Sequence, residues 1–213
     1  MKILELFAGT RSIGKAFEAR GHDVYSVDWD KDFKNIDLYA DISKLTVNEI
    51  LKNFGRPDII WASPDCTTYS RAGISHHRRK NEATGNLDAV SEYAKFCDKT
   101  NKHVLDLIAE LKPAFYFIEN PRGGLRKMDF MRGLYRYTVT YCQYGDTRMK
   151  PTDIWTNHPE PLFKPPCKNG DPCHESAPRG AKTGTQGLKG SKERSVIPNR
   201  LCEHIVDICE SWI

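Results

Sequence analysis

The sequence predicts an α/β fold, a mainly parallel sheet flanked by helices, and three observations carry that expectation. Short apolar runs at Ile3-Leu4-Glu5-Leu6-Phe7, Asp58-Ile59-Ile60-Trp61-Ala62 and Pro113-Ala114-Phe115-Tyr116-Phe117-Ile118 have the length and composition of buried strands. Helical periodicity lies between them. Each run ends in a loop rich in Gly, Ser, Pro or acidic residues, the sheet edge where open α/β folds bind ligands.

Ile3 to Phe7 is the first strand. Ala8-Gly9-Thr10-Arg11-Ser12-Ile13-Gly14 turns into a helix reaching about Arg20, and Gly21-His22 breaks it. Val24 to Asp30 is a second strand ending in an acid. A βαβ unit with a glycine turn and an acid at the tip of its second strand suits an adenosine-type cofactor, with the acid on ribose hydroxyls. The pattern is not GxGxxG, which disfavours a dinucleotide. S-adenosylmethionine (SAM), which has no pyrophosphate, does not need that fingerprint. Val47 to Phe54 reads as a helix. The strand ending at Ala62 delivers Cys66 to a loop, where a thiol is a candidate nucleophile once ionised.

Ser75 to Glu82, with His76, His77, Arg78, Arg79 and Lys80 in a row, reads as a polar lid able to meet phosphates. Leu87 to Leu111 suits a long helix, with Asp98-Lys99 as the place where it could break; Cys97 and His103 within it are packing or surface residues. Glu119-Asn120-Pro121 stands at the end of the third apolar run, on the same edge as Cys66. Arg136 to Tyr144 and Asp153 to Thr156 read as two strands of a hairpin around Gly145 to Thr152. His158 to Ser195 is poor in apolar residues and rich in Gly, Pro, Lys and Arg, and cannot build a core alone. Pro198 opens a closing helix with Leu201, Ile205, Ile208 and Trp212 as its apolar stripe.

The chain has 213 residues, a net charge of +4 and seven cysteines. That length suits one domain with a full core. The charge permits a polyanionic partner without requiring one. No apolar run approaches the roughly 20 residues of a membrane span. With no secretory signal, the scattered, odd-numbered cysteines read as reduced thiols of a cytoplasmic protein. Cys167, Cys173 and His174 could supply three zinc ligands, but no fourth is evident and the spacing is not a standard pair. The bland reading is a polar loop with two inert thiols. Cys142, Cys202 and Cys209 read as core.

Taken together, these segments resemble the cytosine-C5 methyltransferase family. Pro64-Asp65-Cys66-Thr67-Thr68-Tyr69-Ser70-Arg71-Ala72-Gly73 resembles its catalytic loop, Leu6-Phe7-Ala8-Gly9 its cofactor loop, and Asp28-Trp29-Asp30 its acid-aromatic-acid segment. Asp41-Ile42 resembles its adenine-contacting turn, Glu119-Asn120-Pro121 its Glu-Asn-Val, and Tyr144-Gly145 the start of its Tyr-Gly-x-x-Gln-x-Arg-x-Arg segment. The resemblance implies a Rossmann-like SAM-dependent methyltransferase fold with a short irregular recognition insertion. It implies a catalytic domain over 1–157, a basic recognition region over 158–195, and a C-terminal helix over 196–213 packed back on the first.

It also implies roles. Phe7, Ala8, Gly9, Thr10, Arg11 and Ser12 with Pro64 line the SAM site. Asp28 holds the ribose, Trp29 packs on adenine, and Asp41 with Ile42 reads the adenine edge. Cys66 attacks C6 of a flipped-out cytosine in DNA, Glu119 serves N3, and Arg148 holds the base or its phosphate. Ser70, Arg71, Arg78, Arg79, Lys80, Arg179 and Lys182 are the expected nucleic-acid contacts.

The sequence departs from the family at Thr10-Arg11-Ser12, where a second glycine is common, at Asp65 beside the nucleophile, and at Thr67-Thr68. Arg11 makes an acidic SAM derivative conceivable as donor, and Asp65 is expected to point away from the sulfur. The same motifs are compatible with an RNA cytosine methyltransferase and with a catalytically weak DNA-binding subunit. The oligomeric state is open.

Overall fold

In a computed structural model, which describes residues 1–176 and 190–213, a seven-stranded sheet runs through the molecule. Strands β1 (Lys2–Leu6), β2 (Asp23–Asp28), β3 (Leu38–Tyr39), β4 (Ile59–Ala62) and β7 (Phe115–Pro121) are parallel, and β8 (Arg136–Thr140) and β9 (Pro151–Thr156) close one edge antiparallel. The order across the sheet is β3-β2-β1-β4-β7-β9-β8. The chain leaves β1 towards β2 and later returns to pair β4 on the other side of β1. The carboxyl ends of β1 and β4 therefore flank a topological switch point, where α/β sheets open a ligand crevice.

Burial explains the sequence of the central strands. Ile59, Ile60, Trp61 and Ala62 are all buried because helices cover both faces, so β4 reads as an unbroken apolar run rather than an alternation. On one face α1 (Ser12–Ala19) and α6 (Asn199–Glu210) pack Ile13, Phe17, Leu201, Ile205 and Ile208 against Trp61 and Phe117. Cys202 and Cys209 lie in this core, as expected. Trp212 is half exposed, with its ring edge-on to His158. On the other face α2 (Val47–Asn53) and α4 (Glu92–Leu111) pack Ile50, Val104, Leu107 and Leu111 against Leu4, Leu6 and Ile60.

Two expectations are corrected here. The long helix starts at Glu92, not Leu87, and runs unbroken past Asp98-Lys99. Ser91 caps it by accepting the Ala94 N–H at 3.1 Å, which sets the start. The segment expected as a polar lid is instead structured. Short α3 (Ile74–His77) leads into β5 (Arg78–Lys80), which pairs antiparallel with β6 (Leu87–Ala89). Three-residue strands built from Arg-Arg-Lys carry no periodicity for a sequence reading to detect.

Candidate active site

Every turn at the carboxyl edge of the parallel strands holds a residue singled out from the sequence. The β1–α1 turn winds tightly: Phe7, Gly9 and Arg11 all adopt positive φ, at 55°, 50° and 57°. Glycine meets that demand without strain; Phe7 and Arg11 meet it at a cost. The turn is held by the acid at the end of β2. Asp28 is buried and accepts the Gly9 N–H at 2.8 Å and the Asp30 N–H at 2.9 Å. Each oxygen keeps a second lone pair. Beside it Trp29 presents its indole 70% exposed. Asp41 accepts from the Ser43 N–H and hydroxyl, lowering its pKa, and caps the short turn carrying buried Ile42. Thr10 and Ser12 share a hydroxyl contact at 3.0 Å. An open indole, an acid with spare acceptor capacity and a wide-φ turn on one edge form a donor set that fits an adenosine group.

Arg11 does not face that site. Its side chain is buried against the acids, with Nη2 donating to Glu18 at 2.5 Å and Nε 3.9 Å from Glu5. Its charge is matched within the protein, which removes the basis for an acidic donor derivative.

The β4 loop carries Cys66. The Asn120 amide, wholly buried on β7, donates to the Pro64 carbonyl at 2.8 Å and ties the loop to the neighbouring strand. The Cys66 carbonyl accepts the Tyr69 and Ser70 N–H groups at 3.0 and 2.8 Å, closing a turn. Behind it Gly124 donates to the Tyr69 carbonyl at 2.7 Å, and a Cβ on Gly123 would fall 2.4 Å from that same oxygen. A glycine is required there by proximity. The register pairs Ala62 with Ile118, so Glu119 sits on the adjacent strand beside the start of the Cys66 loop.

Glu119 is buried, and burial lifts its carboxyl above the ordinary range; Lys150, Tyr141 and Ser63 oppose that rise. Tyr141 Oη donates to Glu119 Oε1 at 3.1 Å. Burial first, then the charges of Asp65 and Glu119, push the Cys66 thiol up to about 11, while Lys150 acts the other way. The expectation for Asp65 is corrected in part. Its carboxylate is held by the Thr67 N–H at 2.5 Å and the Tyr93 hydroxyl at 3.0 Å, yet its charge still opposes thiolate formation.

Lys150 was not among the expected catalytic residues. It projects from a strained position, φ 28°, just before β9, donates to the Arg194 carbonyl at 2.7 Å and lies over the Tyr141 ring at 4.4 Å. Burial lowers its pKa, and the negative charges of Glu119 and Cys66 work against that fall. Arg148, expected in this role, is instead locked onto Asp146 through Nε at 2.9 Å and Nη2 at 2.5 Å. Two residues along an irregular segment separate the cation facing the site from the one paired elsewhere, and composition does not distinguish them.

The basic residues divide. Arg71, Arg79 and Lys80 are exposed, and Ser70 is half-buried with its hydroxyl accepting the Gly73 N–H at 3.1 Å. Lys80 pairs with Glu82 at 2.8 Å. Arg78 is a correction: it is 2% exposed, not a surface contact. It donates to the Thr68 carbonyl and hydroxyl at 3.0 Å, pairs with both Asp98 oxygens at 2.7 and 3.1 Å, and lies 4.1 Å from the Tyr69 ring centre. Arg179 and Lys182 lie outside the described residues.

A model of the C-5 cytosine-specific DNA methylase family matches residues 1–134, more than half of the chain. The chain belongs to that family. It is 28% identical to a Frog virus 3 (isolate Goorha) protein named "Probable DNA (cytosine-5)-methyltransferase", over 98% of this chain and all of that protein. Two solved structures share the fold. One is a protein encoded within an E. coli prophage (TM-score 0.53, 18% identity, 73% of this chain and 46% of that one). The other is the Entamoeba histolytica methyltransferase EhMeth (TM-score 0.52, 12% identity, 73% and 52%). The chain spans about half the length of these solved structures. The family match covers the turns of Gly9, Asp28, Asp41, Cys66 and Glu119 and stops before β8; Lys150 lies beyond it, roughly at the first arginine of the segment that Tyr144-Gly145 begins.

Proposed function

We propose that this protein transfers a methyl group from S-adenosylmethionine to C5 of cytosine in DNA, through a covalent bond between Cys66 and C6. The observation that carries the reading is the meeting of Cys66, Glu119 and Lys150 at the end of the parallel sheet, beside the Gly9–Asp28–Trp29 edge, within this family. Bound SAM supplies an electrophilic methyl group. Phe7, Ala8, Gly9, Thr10 and Ser12 with Pro64 line its site, Asp28 serves the ribose, Trp29 the adenine face, and Asp41 with Ile42 the adenine edge.

The residues of the chain do the rest. C5 of cytosine is a weak nucleophile, and addition of a thiolate to C6 makes it a stronger one by splitting a hard step into easier ones. Burial raises the Glu119 pKa, which favours the protonated carboxyl that can give a proton to N3 as charge develops. Lys150 is the cation within reach of both groups, and it favours the Cys66 thiolate that Asp65 and Glu119 resist. After methyl transfer the C5 proton passes to solvent, its electron pair re-forms the C5–C6 double bond as Cys66 leaves as a thiolate, and the N3 proton returns to Glu119, restoring the ring. A cytosine within a duplex does not expose C6, so the base is flipped out. Ser70, Arg71, Arg79 and Lys80 are the proposed contacts to the backbone around it, a reading supported by the exposure of the three basic side chains.

The test is mass spectrometry of nucleosides after incubation with SAM, using duplex DNA, single-stranded DNA and RNA in parallel, with Cys66→Ser alongside. Methylated cytosine in DNA, absent with the variant, is the expected result. Methylation confined to RNA replaces the substrate. No methylation of any nucleic acid, with SAM binding intact, leaves a binding subunit.

A further inference from the structure

Away from the catalytic edge, four soft donors converge that the reaction does not use. Cys142 ends up in the short helical turn Tyr141–Tyr144 after β8, and Cys167, Cys173 and His174 come from the Gly/Pro-rich segment after β9. Their ligand atoms all lie within 4.8 Å of one another. Cys142 Sγ is 3.0 Å from Cys167 Sγ and 3.6 Å from Cys173 Sγ. His174 Nδ1 is 3.6 Å from Cys173 Sγ and 3.7 Å from Cys167 Sγ.

A tetrahedral ion with thiolates at about 2.3 Å and an imidazole at about 2.0 Å sets its sulfurs about 3.8 Å apart and sulfur to nitrogen about 3.5 Å. Three of the four measured separations are within a few tenths of an ångström of those values. The fourth, between Cys142 and Cys167, needs to open by less than an ångström. The fourth ligand, not evident in the sequence, is Cys142, read as core because it lies on a β-rich segment; it stands 25 positions before Cys167.

We propose that Cys142, Cys167, Cys173 and His174 bind one Zn2+ ion. Three thiolates and one imidazole in a tetrahedron select zinc over the hard cations, and four protein ligands leave no open position, which makes the site structural. The location gives it a purpose. The segment from Lys164 to Ser176 has few apolar residues, and its backbone N–H groups reach the body at three places: Cys167 N–H to the Thr140 hydroxyl at 3.0 Å, Lys164 N–H to Tyr144 Oη at 2.9 Å, and Glu175 N–H to the Thr147 carbonyl at 2.9 Å. An ion there replaces the missing core and fastens the segment to the turn whose first residue, Tyr141, holds Glu119. Zinc binding at this place is independent of which nucleic acid the enzyme modifies.

The test uses the full chain, expressed with zinc available and freed of loose metal by gel filtration. Elemental analysis is expected to give one zinc per chain. That zinc is lost in Cys167→Ser, Cys173→Ser and His174→Ala, and retained in Cys209→Ser, whose thiol lies in the helical core. Because a variant can lose metal by failing to fold, wild-type protein is also stripped by a chelator and reloaded with Co2+. The visible bands and thiolate charge-transfer absorption of a tetrahedral thiolate site are expected, with recovery of the thermal midpoint lost on stripping. Zinc-free protein, a Cys142–Cys167 disulfide recovered by peptide mapping, iron with labile sulfide, or zinc retained in all three ligand variants would each overturn the proposal.

Discussion

In the proposed mechanism Lys150 is the cation that favours a reactive Cys66. With the thiol at about 11, little thiolate exists near neutrality in the free protein, and Lys150 is the positive charge that keeps the value from rising further. Alkylation of Cys66 by iodoacetamide, followed by peptide mapping, is therefore expected to be slow at neutral pH and to climb towards a midpoint near 11. Lys150→Met raises that midpoint by roughly one unit and lowers methyl transfer at least about tenfold. Lys150→Arg retains the charge and most of the effect. An unchanged midpoint in Lys150→Met removes Lys150 from the site. Cys66 and Glu119 were legible in the sequence because each follows an apolar strand. The choice between Arg148 and Lys150 was not: both are cations on one irregular stretch, roughly where the family has glutamine and arginine, and only folding sends the first to Asp146 and the second to Glu119.

The element that presents Cys66 is stiffened from behind by the β5–β6 hairpin. Arg78 reaches from β5 into the underside of the Thr68–Tyr69 turn and neutralises Asp98 of α4. Removing one partner of such a buried pair leaves the other uncompensated, at a cost of about 3–5 kcal/mol. Arg78→Met is thus expected to lower unfolding free energy by about 3 kcal/mol in urea titrations, while the salt dependence of DNA binding stays that of wild type. Arg79→Ala should do the reverse: stability unchanged, salt slope reduced. A wild-type stability for Arg78→Met would restore Arg78 as a surface contact. In sequence these neighbours look alike. The alternation of a three-residue strand turns one inward and the next outward, and nothing in a run of basic residues announces that.

At the scale of the molecule, the doubly connected parallel sheet was legible because buried strands and glycine turns leave strong local signals. The fastenings between distant segments were not. Glu5 is one. It is 2% exposed on β1, accepts the Gly14 N–H of α1 at 2.9 Å, and burial raises its pKa to about 7. Its folded value lies above the ordinary one, so the folded state binds the extra proton. Stability from this group is full below the ordinary value of 4.5 and is lost as pH rises through about 7. Unfolding free energy is expected to fall by about 2–3 kcal/mol between about pH 5 and pH 8, and Glu5→Gln should flatten that slope. An unchanged slope in the variant assigns the dependence to other groups.

The proposed mechanism stands on a covalent bond between Cys66 and the base. DNA carrying 5-fluorocytosine probes that bond itself, because fluorine at C5 blocks the elimination that would release the enzyme. Incubated with SAM, the protein is expected to form a denaturation-stable adduct, mapped to the peptide containing Cys66 and absent in Cys66→Ser. Methylation of ordinary cytosine by the same preparation, with no trapped adduct on the fluorinated DNA, would rule out the covalent route.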